Sequence, residues 1–278
     1  MSATEAAKKK LDPGEVDPED DIEMSFMDHL RELRTRLVRS LFGFGPGIAV
    51  AWTFREEILS FLAAPYIGAY RALGIGEPTL HFANPADMFV NYMMIALICG
   101  GIFGSPWAFY QAWMFIAPGL YRRERAKAIP FVLLSTLFFV GGAFFGYAVV
   151  LPPAFDALFS FSGSVGDLRI QPTIMLSEYL DFALRMLLAL GITFEVPIVI
   201  GFMSAMGLVN WKQLVAFGRW WLVIAAVIAA ILTPSGDAGT MLLVLIPLVA
   251  LYYLAIIFAW MVGPKPPVEP KPETPSKA

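Results

Sequence analysis

Three glutamates of this chain stand where a carboxylate is unusual. Glu32 lies in HLRELRTRL and Glu124 in GLYRRERAK, each among several arginines. Each stands beside a membrane boundary, and either acid could serve a function beyond local charge pairing. The plainer reading of Glu32 is an i,i+4 pair with Arg36, worth about 0.2–0.5 kcal/mol. For Glu124 it is charge balance for Arg122, Arg123, Arg125 and Lys127. Spacing alone leaves both readings open. The third acid, Glu195, interrupts the apolar run GITFEVPIVI. An ionised group at mid-membrane costs about 2.5–3.5 kcal/mol on insertion scales, so Glu195 is expected either protonated or facing a watery cavity. Pro197 lacks an N–H and frees the carbonyl of Thr193, so a polar side chain and a kink coincide. The alternative is a protonated glutamate that only bonds a neighbouring helix.

The remaining polar residues form no catalytic set. Asp181 and Arg185, four apart near Glu178, read as an interfacial structural pair. His29 and His81 fall in separate segments, and no metal-ligand spacing joins them to Cys99. That single cysteine can form no intrachain disulfide. There is no P-loop, no GxSxG and no intramembrane aspartate pair. Ser235 in TPSGD reads as a turn residue, the tryptophans mostly as interface anchors and the methionines as core filling. No cofactor is expected.

The elements that must carry these acids are set by composition. Of 278 residues, 58% are hydrophobic and only 15% charged, with mean hydropathy +0.65. Soluble domains average about 25% charged, so this is an all-α polytopic membrane protein. Residues 1–24 are polar and acidic and read as a disordered tail rather than a cleavable signal; residues 263–278 read as a proline-rich disordered tail. Between them, residues 25–262 form the membrane domain. It opens with an amphipathic helix: Phe26, Leu30, Leu33, Leu37 and Leu41 make one stripe, Arg31, Arg34, Arg36 and Arg39 cover the rest, and Ser25 with Asp28 could cap the start.

Six spans follow, at about Leu37–Phe54, Ala86–Tyr110, Ala128–Leu151, Ser177–Met206, Arg219–Thr233 and Thr240–Val262. Gly43, Gly45, Pro46 and Gly47 are expected to flex the first. The fifth looks short, since Trp220–Leu232 would cover about 20 Å as a helix. Helices of unequal reach suggest a concave bundle. Lys and Arg cluster in the N-terminal segment, around 122–127, at Lys212 and Arg219 and in the C-terminal tail; the other side holds only Arg55, Arg71 and Arg169. Both termini are therefore expected in the cytoplasm. The outer loops at 54–75 and 152–176 carry apolar residues and are expected to form a short interfacial helix and a cap.

The segments HLRELRTRL at 29–37, SPWAFYQAWMFIAPGLYRRER at 105–125, FEVP at 194–197, and TPSGD with the later LIP at 233–247 resemble TatC, the multispanning receptor subunit of the twin-arginine protein translocase. The resemblance runs in order from about Phe26 to Val262. It implies a non-enzymatic receptor that binds the twin-arginine signal peptides of folded precursors. Export would be organised across the bacterial cytoplasmic (inner) membrane and driven by the proton-motive force. TatA-type and TatB-type single-span subunits are the implied partners, in an oligomeric complex within the lipid bilayer and with no nucleic acid. By the resemblance, Glu32 and Glu124 would read the two arginines, and Arg34, Phe115 and Leu120 would contact the signal. Pro65 and Pro106 match family prolines, Glu195 the transmembrane acid, and Asp237 the polar tip of the last turn. The turn is one residue longer than usual, and Thr240 stands where glutamine is frequent. Two rival readings are a proton-coupled solute transporter using Glu195 and an intramembrane enzyme. The first would want repeat symmetry and several mid-membrane polar groups, the second a nucleophile–base or paired-acid set; the chain shows neither.

Overall fold

The computed structural model describes residues 26–74, 77–116, 128–165, 167–170, 172–233 and 238–263. The amphipathic segment and the first span are one helix, α1 (Phe26–Thr53). Its leucine stripe, Leu30, Leu33, Leu37 and Leu41, lies exposed, as a face turned to lipid must. The stripe one residue earlier, about 100° round the helix, faces inward: His29, Glu32, Arg36 and Ser40 are half-buried at helical spacing, and Ala51 further along is fully buried. Ser25 falls outside the described residues, and Asp28 pairs with Arg31 at 3.3 Å.

At Phe54 the chain turns by 78° into α2 (Arg55–Ala72), the helix expected at the outer interface. Arg55 pins this corner. Its guanidinium lies 5.4 Å from the Trp52 ring centre and 5.3 Å from that of Tyr92, and Nη1 donates to the Trp52 carbonyl at 3.1 Å. The long α3 (Pro85–Ile116) starts where the Asp87 carboxylate accepts from the N–H groups of Ala83 and Asn84, at 3.1 and 2.8 Å. It packs along α1 through glycines. A Cβ at Gly47 would lie 2.3 Å from the Gly100 carbonyl oxygen, and one at Gly100 would lie 2.5 Å from the Ile48 Cα. Gly43 and Gly104 extend the contact by one turn. Gly43 and Gly47, like Gly100 and Gly104, are four apart, the small-residue spacing that lets membrane helices approach backbone to backbone. Gly43 and Gly47 are thus contact residues rather than hinges; of the expected flexing glycines only Gly45 has open space.

The third span departs from expectation by running on. α4 (Ala128–Phe145) passes through a π turn, Gly146–Val150, into α5 (Leu151–Phe159), so the helix continues past Pro152 and Pro153. Both prolines fall in the first turn of α5, where a missing N–H costs least. A short antiparallel hairpin follows, β1 (Gly163–Val165) with β2 (Leu168–Ile170), within the outer segment expected as a cap. Strands this short leave no readable alternation. A further bridge ties the chain before α3 to the start of α6 (Leu176–Phe194): His81 donates to the Ile174 carbonyl at 3.1 Å and accepts from the Leu176 N–H at 2.7 Å. The outer cap is aromatic, with Tyr66, Tyr70, Phe155, Phe159 and Tyr179 packed as one buried group. The Tyr179 hydroxyl donates to the Leu62 carbonyl, and that of Tyr66 to the Thr79 carbonyl at 2.7 Å.

The fourth span is broken, as its proline foretold: α6 ends at Phe194, Glu195 forms a turn, and α7 (Val196–Ala205) resumes. The fifth, α8 (Trp211–Leu232), starts eight residues before the expected Arg219. Asn210 caps it, accepting from the Lys212 N–H at 3.2 Å while the Gln213 side chain accepts from the Asn210 N–H at 2.9 Å. Its 22 residues reach about 33 Å at 1.5 Å per residue, so this span is not short. α9 (Ala238–Val262) closes the bundle against α7 and α8. Trp221 stacks on Tyr252 at 4.9 Å, and the Tyr252 hydroxyl donates to the Leu214 carbonyl at 2.8 Å. Among the described residues, five helical stretches are long and apolar enough to cross a membrane, and the bent pair α1–α2 makes a sixth.

Candidate functional site

The inner stripe of α1 meets the last turns of α3 in a small polar cluster. Glu32 is largely buried, its side chain 17% exposed, and its Oε1 lies 3.2 Å from Arg36 Nη2. This is the i,i+4 pair that the spacing offered. Arg36 Nη1 reaches the other way and donates to the Gln111 side-chain oxygen at 3.4 Å, a long bond to a residue only 2% exposed. The second carboxylate oxygen of Glu32, Oε2, is buried and has no hydrogen-bond partner among the described residues. A buried acceptor left unsatisfied costs about 1–3 kcal/mol, so this oxygen favours a donor brought to it.

Beside this cluster, His29 stacks on Phe115 with ring centres 4.5 Å apart and planes at 20°. The sequence reading found no chemistry in His29; its position shows a packing role that joins α1 to the end of α3. Trp107 adds a second tie, donating to the Arg39 carbonyl at 2.9 Å. Arg34 is exposed on the outer side of α1, away from the Glu32 cluster. Pro106 lies within α3 with its ring exposed, and Pro65 within α2 at the outer cap. Leu120, Glu124 and Asp237 lie outside the described residues.

Glu195 occupies a separate place. It separates α6 from α7, and its Oε1 is buried without a hydrogen-bond partner among the described residues. The Ser135 side chain of α4 lies beside the same carboxylate. Ser135 also accepts from Trp113 Nε1 at 3.2 Å. A chain of contacts Trp113–Ser135–Glu195 therefore crosses from α3 through α4 to the break. Trp113 is 7% exposed and packs on Phe131 and Phe202, with ring centres at 4.9 and 4.6 Å. It is a core residue, not one of the expected interface anchors. Gln111 and Trp113 are two residues apart, which on a helix is about 200° of rotation. α3 thus presents one to α1 and the other to α4.

The Asp181–Arg185 pair forms at 2.7 Å, with Arg185 75% exposed, and its worth is that of a surface pair. An apolar cavity of ≈ 340 Å³ lies under α2 against Cys99, Phe144 and Leu187, on the outer side of the protein. Among the described residues no cluster of His, Cys, Asp and Glu could hold a metal ion. Sequence reasoning missed Gln111, Trp113 and Ser135. A polar residue within the aromatic run SPWAFYQAWMF was the available signal for Gln111.

A family model described as Sec-independent protein translocase protein (TatC) matches residues 28–247. A Sec-independent protein translocase protein TatC of Koribacter versatilis is 39% identical over 246 residues, covering 87% of each chain. That of Aquifex aeolicus is 36% identical, over 84% of this chain and 93% of its own. Among solved structures, a crystal structure of the twin-arginine translocase receptor TatC superposes with a TM-score of 0.69 at 36% identity, over 84% of this chain and 99% of that one.

Proposed function

The chain belongs to the TatC family of Sec-independent protein translocase proteins, and from that premise we propose that it is a twin-arginine signal receptor in which Glu32 and Glu124 read the two arginines. The family is one of translocase receptors, which move proteins rather than catalyse a reaction. The observation that carries the reading is Glu32: a carboxylate held in a helix–helix crevice, one of whose oxygens is buried without a donor among the described residues. An arriving guanidinium satisfies that oxygen. The stacked pair His29–Phe115 offers a flat apolar edge beside it for the signal backbone. Arg34, exposed on α1, and Leu120 belong to the same contact surface by family likeness. Both termini and this surface lie in the cytoplasm, in keeping with the Lys and Arg distribution. The membrane is the bacterial inner membrane, the energy source is the proton-motive force, and the partners are TatA-type and TatB-type subunits in an oligomer.

The test is crosslinking of an arginine-pair signal peptide to the protein in inverted vesicles. Glu32→Gln and Glu124→Gln are each expected to reduce capture by about tenfold, the loss of one charge-assisted bidentate pair. Capture equal to the parent in either variant removes that acid from the site.

Glu195 is proposed as a polar docking point for a partner helix, and Pro65, Pro106 and Asp237 as structural or partner-contact positions. The Glu195 carboxylate at a helix break supports this, since ionisable groups within a membrane mark functional positions. Glu195→Ala is expected to weaken crosslinking to a single-span subunit while leaving signal capture intact. Unchanged partner crosslinking and unchanged export would dismiss it.

A further inference from the structure

The arginines around Glu32 pose a problem for any receptor reading, because they compete with the ligand for the acid. Among the described residues one arginine competes, and its grip is limited. Arg36 is four residues from Glu32 on the same helix face and, among the described residues, is the cation that reaches it. Its two terminal nitrogens do not close together on the carboxylate. Nη2 goes to Glu32 at 3.2 Å, and Nη1 goes to Gln111 across the helix interface at 3.4 Å. Gln111 is 2% exposed, so its position is fixed by packing rather than by solvent. One oxygen of Glu32 thereby takes no bond from Arg36 and has no donor among the described residues. Arg31 is turned away to Asp28, and Arg34 is exposed on the other side of α1.

We propose that Arg36 is an internal stand-in for the signal arginine, and that Gln111 is the position to which it retreats when the signal displaces it. The proposal rests on Glu32 being the arginine reader. A guanidinium offers two parallel bonds and can take both carboxylate oxygens, pushing Arg36 fully onto Gln111. A lysine ammonium is a compact point charge without that fork. It can occupy the open oxygen but gains little from evicting Arg36, and the retained Arg36 repels it. Arg36 therefore sets a threshold that arginine crosses and lysine does not. It is a specificity-determining residue, and Gln111 is a positioning residue that acts through it. Specificity of this kind comes from a repulsive element as much as from an attractive one.

The experiment measures binding of signal peptides carrying Arg-Arg or Lys-Lys to the full chain in lipid nanodiscs, by fluorescence anisotropy. Arg36→Gln is expected to leave Arg-Arg binding as tight or tighter, and to improve Lys-Lys binding so that discrimination falls about tenfold. Gln111→Leu is expected to act in the opposite direction on Arg-Arg binding, weakening it about threefold, because Arg36 then closes both nitrogens on Glu32. In the Arg36→Gln background the Gln111→Leu effect should vanish, since the pair acts as one unit. A merely structural role would weaken Arg-Arg binding in both single variants and leave discrimination unchanged, and either result overturns the proposal. Persistence of the Gln111→Leu effect without Arg36 does so too. Glu32→Gln is run in parallel: parent-like binding there refutes the reader assignment itself, whereas loss there with unchanged discrimination in Arg36→Gln refutes only the stand-in.

Discussion

Valine at Gly100 is expected to abolish signal capture although Gly100 touches no residue of the Glu32 cluster. A Cβ there would already lie 2.5 Å from the Ile48 Cα and 2.7 Å from its nitrogen. These are backbone atoms, and no rotamer change relieves the clash. α1 and α3 must separate, and overpacking of a tight contact costs about 1–3 kcal/mol even where side chains can yield. Here the contact is backbone on backbone, so the cost lies at the upper end or beyond. Gln111 is eleven residues further along α3 from Gly100, about three turns. Separation at the glycines pulls Gln111 from Arg36, and Phe115 from His29. The measurement is signal crosslinking together with thermal unfolding in detergent. Gly101→Ala is the control, since nothing lies within 4 Å of a Cβ at that neighbouring position. If Gly100→Val keeps parent-like capture, α1 is not positioned by this contact.

Trp113→Ala is expected to be the most destabilising substitution of an aromatic residue near Glu195, and Trp113→Phe a mild one. The contrast separates two effects that the structure superimposes. Phenylalanine removes the 3.2 Å bond to Ser135 but keeps most of the ring contact. Hydrogen bonds between membrane helices average about 0.6 kcal/mol, so this change should be small. Alanine also removes the contacts with Phe131, Phe202 and Ile198. Large-to-small changes of buried Phe or Trp cost about 3–5 kcal/mol, because the space left behind collapses only partly. Part of that figure reflects transfer from water and is absent in lipid, so about 2–4 kcal/mol is expected here. Denaturation of the purified protein in detergent reads both values. Equal losses in the two variants would assign the whole effect to the hydrogen bond.

Much of this architecture was legible in the chain, and what was not has a common cause. The amphipathic start of α1, the outer helix α2 and the break at Glu195 each follow from a local signal: an arginine-rich leucine stripe, an apolar loop, a proline beside an acid. Span positions followed from long apolar runs. The contacts between spans did not, because in lipid both faces of a helix are apolar and periodicity no longer distinguishes them. That is why Trp113 read as an anchor and Gly43 and Gly47 as hinges. The start of α8 was missed although Asn210 and Gln213 spell a capping box, because hydropathy alone was followed there. The Glu32–Arg36 pair was available from spacing; the split grip on Gln111, from another helix, was not. Glu124 and Leu120 fall outside the described residues, so grouping them with Glu32 is part of the proposal.

The π turn at Gly146–Val150 has a consequence for how the outer cap is aimed. Phe139, Ala143, Leu151, Phe155 and Phe159 are all buried, and with half-buried Tyr147 they recur every four residues. On a straight α-helix such a series creeps about 40° around the axis with every step. Over the five steps from Phe139 to Phe159 it would creep about 200°, and the far end would point away from α2. The wider turn slips the helix back in phase part-way along. It works as a vernier: one added residue in the winding lets one sequence repeat serve the inner bundle below and the cap above.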